Sequence, residues 1–204
     1  MEAGLIIKVC GMREAGNIRE VEALRPDWMG FIFWEGSRRC VSPFPSRMPT
    51  QAKRVGVFVD EDIQKVIQTA RDCALDFIQL HGHESPDYVA QLRRWEVIKA
   101  FNIAHAEDFK QTRPYEGVAD YFLFDTKGKA VGGNGEKFDW SVLNHYQGST
   151  PFLLSGGIGP EDAAQVKNFH HPKCIGIDLN SRFETAPGLK DVAKLRTFIK
   201  QIRL

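Results

Sequence analysis

Eight short, β-rich apolar segments recur at roughly regular intervals along this 204-residue chain, at residues 5–9, 29–33, 54–59, 77–80, 97–100, 121–124, 151–154 and 174–178. Each is a near-continuous apolar run rather than an alternation, the pattern of a strand buried on both faces, as parallel strands are when helices cover them. Most are followed by a polar loop and then by apolar residues at helical spacing. Such stripes run through Ile63, Val66, Ile67 and Ala70, through Val89, Leu92 and Trp95, and through Leu189, Val192, Leu195, Ile199 and Ile202. The punctuation agrees with the periodicity. Asp60 or Glu61 starts the first helix, Ser85-Pro86 the second, and Pro160-Glu161-Asp162 opens another after the seventh strand, with acidic residues and proline where a first turn favours them.

Eight strand–helix units in about 200 residues lie near the lower size limit of a closed barrel, so the expected fold is α/β, a single (β/α)8 TIM barrel over residues 1–204. No linker or shift in composition divides the chain. Residues 33–50 and 102–117 are irregular and carry Pro43, Pro45, Pro49 and Pro114, which predicts that one or two outer helices are shortened or replaced by loop. A doubly wound open sheet shares the same alternation and is the competing architecture.

The charge balance, 27 Lys and Arg against 26 Asp and Glu, leaves a net charge of +1 and no broad field to hold a nucleic acid or an acidic membrane surface. The longest apolar run, residues 28–34, is far shorter than the ~20 residues of a membrane-spanning helix. The start, Met1-Glu2-Ala3-Gly4, lacks the basic region of a secretory signal, and Lys8 interrupts the apolar stretch behind it. Cys10, Cys40, Cys73 and Cys174 are scattered, with neither paired metal-ligand spacing nor the density of a disulfide scaffold. The expectation is a cytoplasmic protein that binds a small molecule in a shaped site, with neither nucleic acid nor membrane as partner.

In such a barrel the site forms at the C-terminal ends of the strands. The polar residues there are Lys8-Val9-Cys10-Gly11, Gln79-Leu80-His81-Gly82, Leu123-Phe124-Asp125-Thr126, Ser155-Gly156-Gly157-Ile158 and Asp178-Leu179-Asn180-Ser181. Three further pieces complete the set: Gly30-Phe31-Ile32-Phe33 with Ser37-Arg38-Arg39; Gly132-Gly133-Asn134-Gly135 with Phe138-Asp139-Trp140; and Glu184 followed by Pro187-Gly188-Leu189-Lys190-Asp191. In order and spacing this set closely resembles the phosphoribosylanthranilate isomerase family of tryptophan biosynthesis, essentially end to end.

The resemblance implies an Amadori rearrangement of N-(5′-phosphoribosyl)anthranilate to 1-(2-carboxyphenylamino)-1-deoxyribulose 5-phosphate, with no cofactor and no metal. It also implies that Cys10 is the general base and Asp125 the general acid. Lys8, Arg39, His81 and Asp178 would contact the substrate, and Gly156, Gly157, Asn180 and Ser181 its phosphate. Gly132, Gly133 and Gly135 would belong to a mobile loop that closes over the sugar phosphate. The assembly would be a monomer or a homodimer.

The residue chemistry bears on these roles independently. Cys is a base only as thiolate, so it needs a positive neighbour. Lys8, two residues earlier on the same strand face, is either that neighbour or a structural ion-pair partner. Asp125 must hold a proton near neutrality, which burial and a negatively charged substrate favour. Adjacent glycines leave backbone N–H groups open to a phosphate, and an Arg fork matches the anthranilate carboxylate, whether from Arg38 or Arg39. Arg182 stands where the family has glycine. The glycines at 132–135 lack dinucleotide-loop spacing, which excludes NAD, and His81 and His83 lack the further ligands zinc requires. The alternatives are the histidine-pathway aminoaldose isomerase, which has aspartate where Cys10 stands, and a catalytically silent barrel that binds a phosphate ligand.

Overall fold

The computed structural model describes residues 4–42, 44–125 and 140–204. Eight parallel strands, β1 (Ile6–Val9), β2 (Trp28–Ile32), β3 (Lys53–Phe58), β4 (Phe77–Leu80), β5 (Glu96–Asn102), β6 (Tyr121–Asp125), β7 (Phe152–Ser155) and β8 (Cys174–Leu179), pair in chain order. β8 then pairs with β1, with Lys8 in register with Asp178. This closure excludes the open doubly wound sheet. Every expected strand is present, within two residues at each end.

Closure sorts the side chains by the period of two. One set fills the barrel: Trp28, Val55, Phe77, Ile98, Ala100, Leu123 and Leu153, with Ile6, Tyr121 and Ile175 packed against them. Trp28 and Phe77 pack with ring centroids 4.3 Å apart, and Tyr121 sets its ring edgewise to Trp28 at 5.6 Å. The other set faces outward into a continuous layer with the helices, among them Ile7, Val9, Phe31, Phe58, Leu80, Phe124, Leu154 and Ile177. Both faces are therefore apolar, and the strands read as unbroken apolar runs for that reason.

The helix layer is uneven, as the proline-rich stretches predict. α1 (Ala15–Glu22), α2 (Ile63–Asp72), α3 (Pro86–Ala90), α4 (Ala163–Asn168) and α5 (Val192–Arg203) are α-helical, whereas 3-10 segments at Ala106–Tyr115 and Trp140–His145 follow β5 and β6. No helix lies between β2 and β3 among the described residues. That segment is tied down instead by Glu22 of α1, which accepts from the backbone N–H groups of Thr50 and Gln51, and by the stacking of Phe33 between Phe44 and Phe58.

Three sequence expectations shift. The N-cap of α2 is Asp62, whose carboxylate accepts from the N–H groups of Gln64 and Lys65, rather than Asp60 or Glu61. Pro160–Asp162 forms a 3-10 turn, and α4 begins one residue later. Leu189 does not belong to the last helical stripe. It lies in a small antiparallel ribbon, β9 (Glu184–Ala186) with β10 (Leu189–Lys190), which turns at Gly188 (φ 82°) before α5 starts at its Asp191 cap. No helix among the described residues is long and apolar enough to cross a membrane.

Candidate active site

At the C-terminal mouth of the barrel the strand ends enclose a cavity of about 190 Å³. Its wall includes Cys10 from β1, Gln79 and His81 from β4, and Asp125 from β6. Ser155, Gly156 and Gly157 follow from β7, and Asp178, Asn180, Ser181 and Arg182 from β8. Sequence reasoning named most of these.

Lys8 and Cys10 share the inner face of β1. Lys8 is wholly buried beneath the cavity, and its ammonium lies 2.9 Å from Asp178 Oδ1. Burial lowers the Lys8 pKa, but the Asp178 carboxylate and Cys10 outweigh it and leave the group above its ordinary value. Asp178 also accepts from Ser155 Oγ at 3.4 Å. Lys8 is thus both an ion-pair partner and a cation against Cys10, and it reaches the cavity only through those two residues.

Burial pushes the Cys10 thiol up, while the Lys8 and Lys190 ammonium groups pull it down; the balance leaves it above the ordinary cysteine value. The thiol is therefore protonated at neutrality in the ligand-free protein, and the two ammonium groups are placed to receive the thiolate once it forms. Gly30 makes room for it: a Cβ there would lie 2.6 Å from Cys10 Sγ.

Lys190 is a site component to which no role was assigned from its position in the chain. Its side chain is inaccessible to solvent, and its Nζ bonds Asn180 Oδ1 at 2.8 Å and Glu184 Oε1 at 2.7 Å. Asn17 of α1 pins its backbone, donating to Lys190 O and accepting from Lys190 N. Glu184 also takes the fork of Arg39, through Nε at 2.9 Å and Nη2 at 2.6 Å. Burial raises the Glu184 carboxyl, but these two cations hold it below the ordinary range. Arg39 is therefore half-buried and oriented by Glu184 beside Gly11, outside the cavity wall, while Arg38 is exposed.

Asp125 stands half-buried at the end of β6, its Oδ2 3.7 Å from His81 Nε2, and the ring's Nδ1 faces Gln79 Nε2 at 3.1 Å. Gln79 belongs to the motif at this strand end without an assigned role, although its position two residues before His81 puts it on the same strand face. Behind the turn, Lys99 bonds Gly82 O and pairs with the buried Glu84, which accepts from the N–H groups of Asp60 and Gly82.

Beside Asp125, past its in-register neighbour Ser155, Gly156 (φ 93°) and Gly157 (φ 68°) take two successive left-handed conformations before the 3-10 turn at Pro160–Asp162. This backbone favours glycine whatever the space, since a Cβ on Gly157 would touch nothing within 4 Å. Asn180 and Ser181 close the same end, but the Asn180 oxygen is already held by Lys190. Arg182 lines the cavity with its guanidinium paired to Glu161. Gly132, Gly133 and Gly135 lie outside the described residues. No group of three or more His, Cys, Asp or Glu among the described residues is arranged to hold a metal.

Known proteins place this architecture. Residues 7–201 match the sequence profile of the family described as N-(5′-phosphoribosyl)anthranilate (PRA) isomerase. Proteins of that name from Parabacteroides distasonis and Phocaeicola vulgatus are 54% and 49% identical to this chain, covering 97% and 98% of it and 93% and 98% of themselves. Among solved structures, the phosphoribosylanthranilate isomerase of Thermotoga maritima superposes with a TM-score of 0.84 at 30% identity, over 98% of both chains. A phosphoribosylanthranilate isomerase in complex with reduced 1-(o-carboxyphenylamino)-1-deoxyribulose 5-phosphate superposes with a TM-score of 0.82 at 27% identity, again over 98% of both. Eight strands closed into one barrel, a cysteine and an aspartate facing one mouth and a profile match over nearly the whole length agree, and the chain belongs to the phosphoribosylanthranilate isomerase family, isomerases of tryptophan biosynthesis.

Proposed function

We propose that the mouth cavity performs the Amadori rearrangement of N-(5′-phosphoribosyl)anthranilate with Cys10 as general base and Asp125 as general acid. The observation that carries this is the placement of both groups on the wall of one cavity that also includes the left-handed Gly156-Gly157 turn. Asp125 gives its proton to the furanose ring oxygen, the C1′–O bond breaks, and the positive charge is held as a protonated Schiff base. The Cys10 thiolate takes the proton from C2′, and its electron pair neutralises that charge to give the enolamine. Tautomerisation places a proton on C1′ and leaves the ketone at C2′. The site is left with a Cys10 thiol and an Asp125 carboxylate, the resting pair. Transfer of that proton from Cys10 to Asp125 through solvent as substrate binds primes the thiolate and the acid for each cycle, with no net oxidation or reduction.

The backbone N–H groups at Gly156, Gly157 and Ser181 would hold the phosphate. Asp178, oriented by Lys8, would take a sugar hydroxyl, and Arg39, oriented by Glu184, stands at the rim where the anthranilate carboxylate would enter. The solved relative that holds the reduced product analogue supports a ligand of this class at the mouth. The enzyme would act in the cytoplasm as a monomer or a homodimer. Turnover of freshly generated substrate, followed by loss of anthranilate fluorescence, tests the roles. Cys10→Ala and Asp125→Asn should each lose about 10²–10⁴ in kcat, and a variant as fast as wild type would remove that residue from its role.

A further inference from the structure

Gln79 is 1% exposed, and its Nε2 lies 3.1 Å from His81 Nδ1. An amide nitrogen only donates, so Nδ1 accepts and the single proton of the neutral ring sits on Nε2. That second nitrogen is the one turned toward Asp125, 3.7 Å from Oδ2. The far end of the amide, Oε1, is buried with no hydrogen-bond partner among the described residues. A buried acceptor left unpaired is rare enough to call for a reason. The reverse orientation would put an acceptor against Nδ1 and allow the ring to carry two protons, whereas the orientation present sets a donor against it and opposes the imidazolium.

We propose that Gln79 is a positioning residue for the general acid: its amide holds His81 as the neutral Nε2–H tautomer, so that the ring donates toward Asp125 and does not take the proton Asp125 must deliver. The two sites compete for one proton. An imidazolium beside an Asp125 carboxylate has the same net charge as a neutral ring beside a carboxylic acid, but only the second can protonate the furanose oxygen. After transfer, the Asp125 carboxylate receives the Nε2–H. The other charged groups around the ring are Cys10, Asp178 and Arg182 across the cavity, Lys99 and Glu84 behind the turn, and Asp60 paired with His83 on its outer side. Among the described residues, Gln79 and Asp125 are those recorded against the ring nitrogens.

The catalytic half of this inference rests on Asp125 being the acid, whereas the tautomer does not. Long-range ¹H–¹⁵N spectra of histidine-labelled protein read the ring directly, with the His81 signals assigned by their loss in His81→Asn. Wild type should show Nε2–H with bare Nδ1 at neutral pH. Gln79→Leu should give a mixture of tautomers and lower kcat about tenfold, with KM held within about twofold. The near-isosteric Gln79→Glu, which keeps the test alive if the Leu variant fails to fold, should convert His81 to imidazolium. It should also lower kcat about tenfold at neutral pH, because an imidazolium beside Asp125 holds the proton the acid must deliver. A wild-type ring protonated on Nδ1, or one unchanged in both variants, would overturn the proposal whatever the activity. The expected tautomer shifts together with a fully active Asp125→Asn would instead overturn the acid assignment, and with it the catalytic half.

Discussion

Replacing Lys8 by Met tests how the floor of the site is held. The ammonium is fully buried and the Asp178 carboxylate 7% exposed, 2.9 Å apart on neighbouring strands. Removing the cation leaves Asp178, among the described residues, with a 3.4 Å contact from Ser155 Oγ in a nearly dry position. An uncompensated buried charge of this kind costs about 3–5 kcal/mol. At about 2–4 °C per kcal/mol for a domain near 200 residues, that is a fall in Tm on the order of 6–20 °C. Lys8→Met/Asp178→Leu removes both charges, and apolar replacement of a buried pair is neutral to stabilising, so most of the loss should return although activity does not. Urea unfolding followed by tryptophan fluorescence gives each corner of the double-mutant cycle. A single variant within about 1 kcal/mol of wild type, or a double variant as unstable as the single, would refute the ion-pair account.

Site-resolved alkylation of Cys10 in the free enzyme should be slow at neutral pH and accelerate through pH 9 and above, because its thiol lies above the ordinary value of 9.0; fast modification at pH 7, read by mass spectrometry, would contradict it. Gly30→Ala should lower kcat by at least about tenfold, since the new Cβ would meet Cys10 Sγ at 2.6 Å and displace the sulfur; steady-state kinetics on folded protein check this. Gly157→Ala should cost about 1–2 kcal/mol from its left-handed φ alone, measured by thermal melting, and should raise KM more than it lowers kcat. Glu184 has a folded pKa below its unfolded one, so its stabilisation is present above pH 4.5 and is lost as pH falls through the lower folded value. Between those pH values Glu184→Gln should show a flatter decline of unfolding free energy than wild type.

What was legible follows from what packs on what. All eight strands could be read because each is apolar on both faces, and Lys8, Cys10, His81 and Asp178 followed once the period of two was applied to their ends. The outer layer was less readable. α1 carries Gly16 and shows only Ile18 and Val21 as buried apolar residues, so its stripe is too thin to see. Leu189 matched the spacing of the last helix but belongs to a ribbon whose place is set by Asn17, 173 residues away along the chain. The arginine question was likewise undecidable locally, because Arg39 is selected by Glu184, and nothing near residues 38 and 39 records that partner. Lys190 and Gln79 act through other side chains, and no spacing marks such a role.

The β9–β10 ribbon has a consequence for how the enzyme comes into being. Cys10 is synthesised well before Asp178, Asn180 and Lys190, which together with Lys8 define its surroundings. While the nascent chain is still growing, residue 10 carries an ordinary thiol, open to oxidation and to foreign electrophiles. It gains its full set of charged neighbours only when that later stretch folds back onto β1, a contact of large sequence separation and for that reason a late one. Any fragment ending before residue 190, however barrel-like, would carry the reactive atom without the second ammonium group beside it.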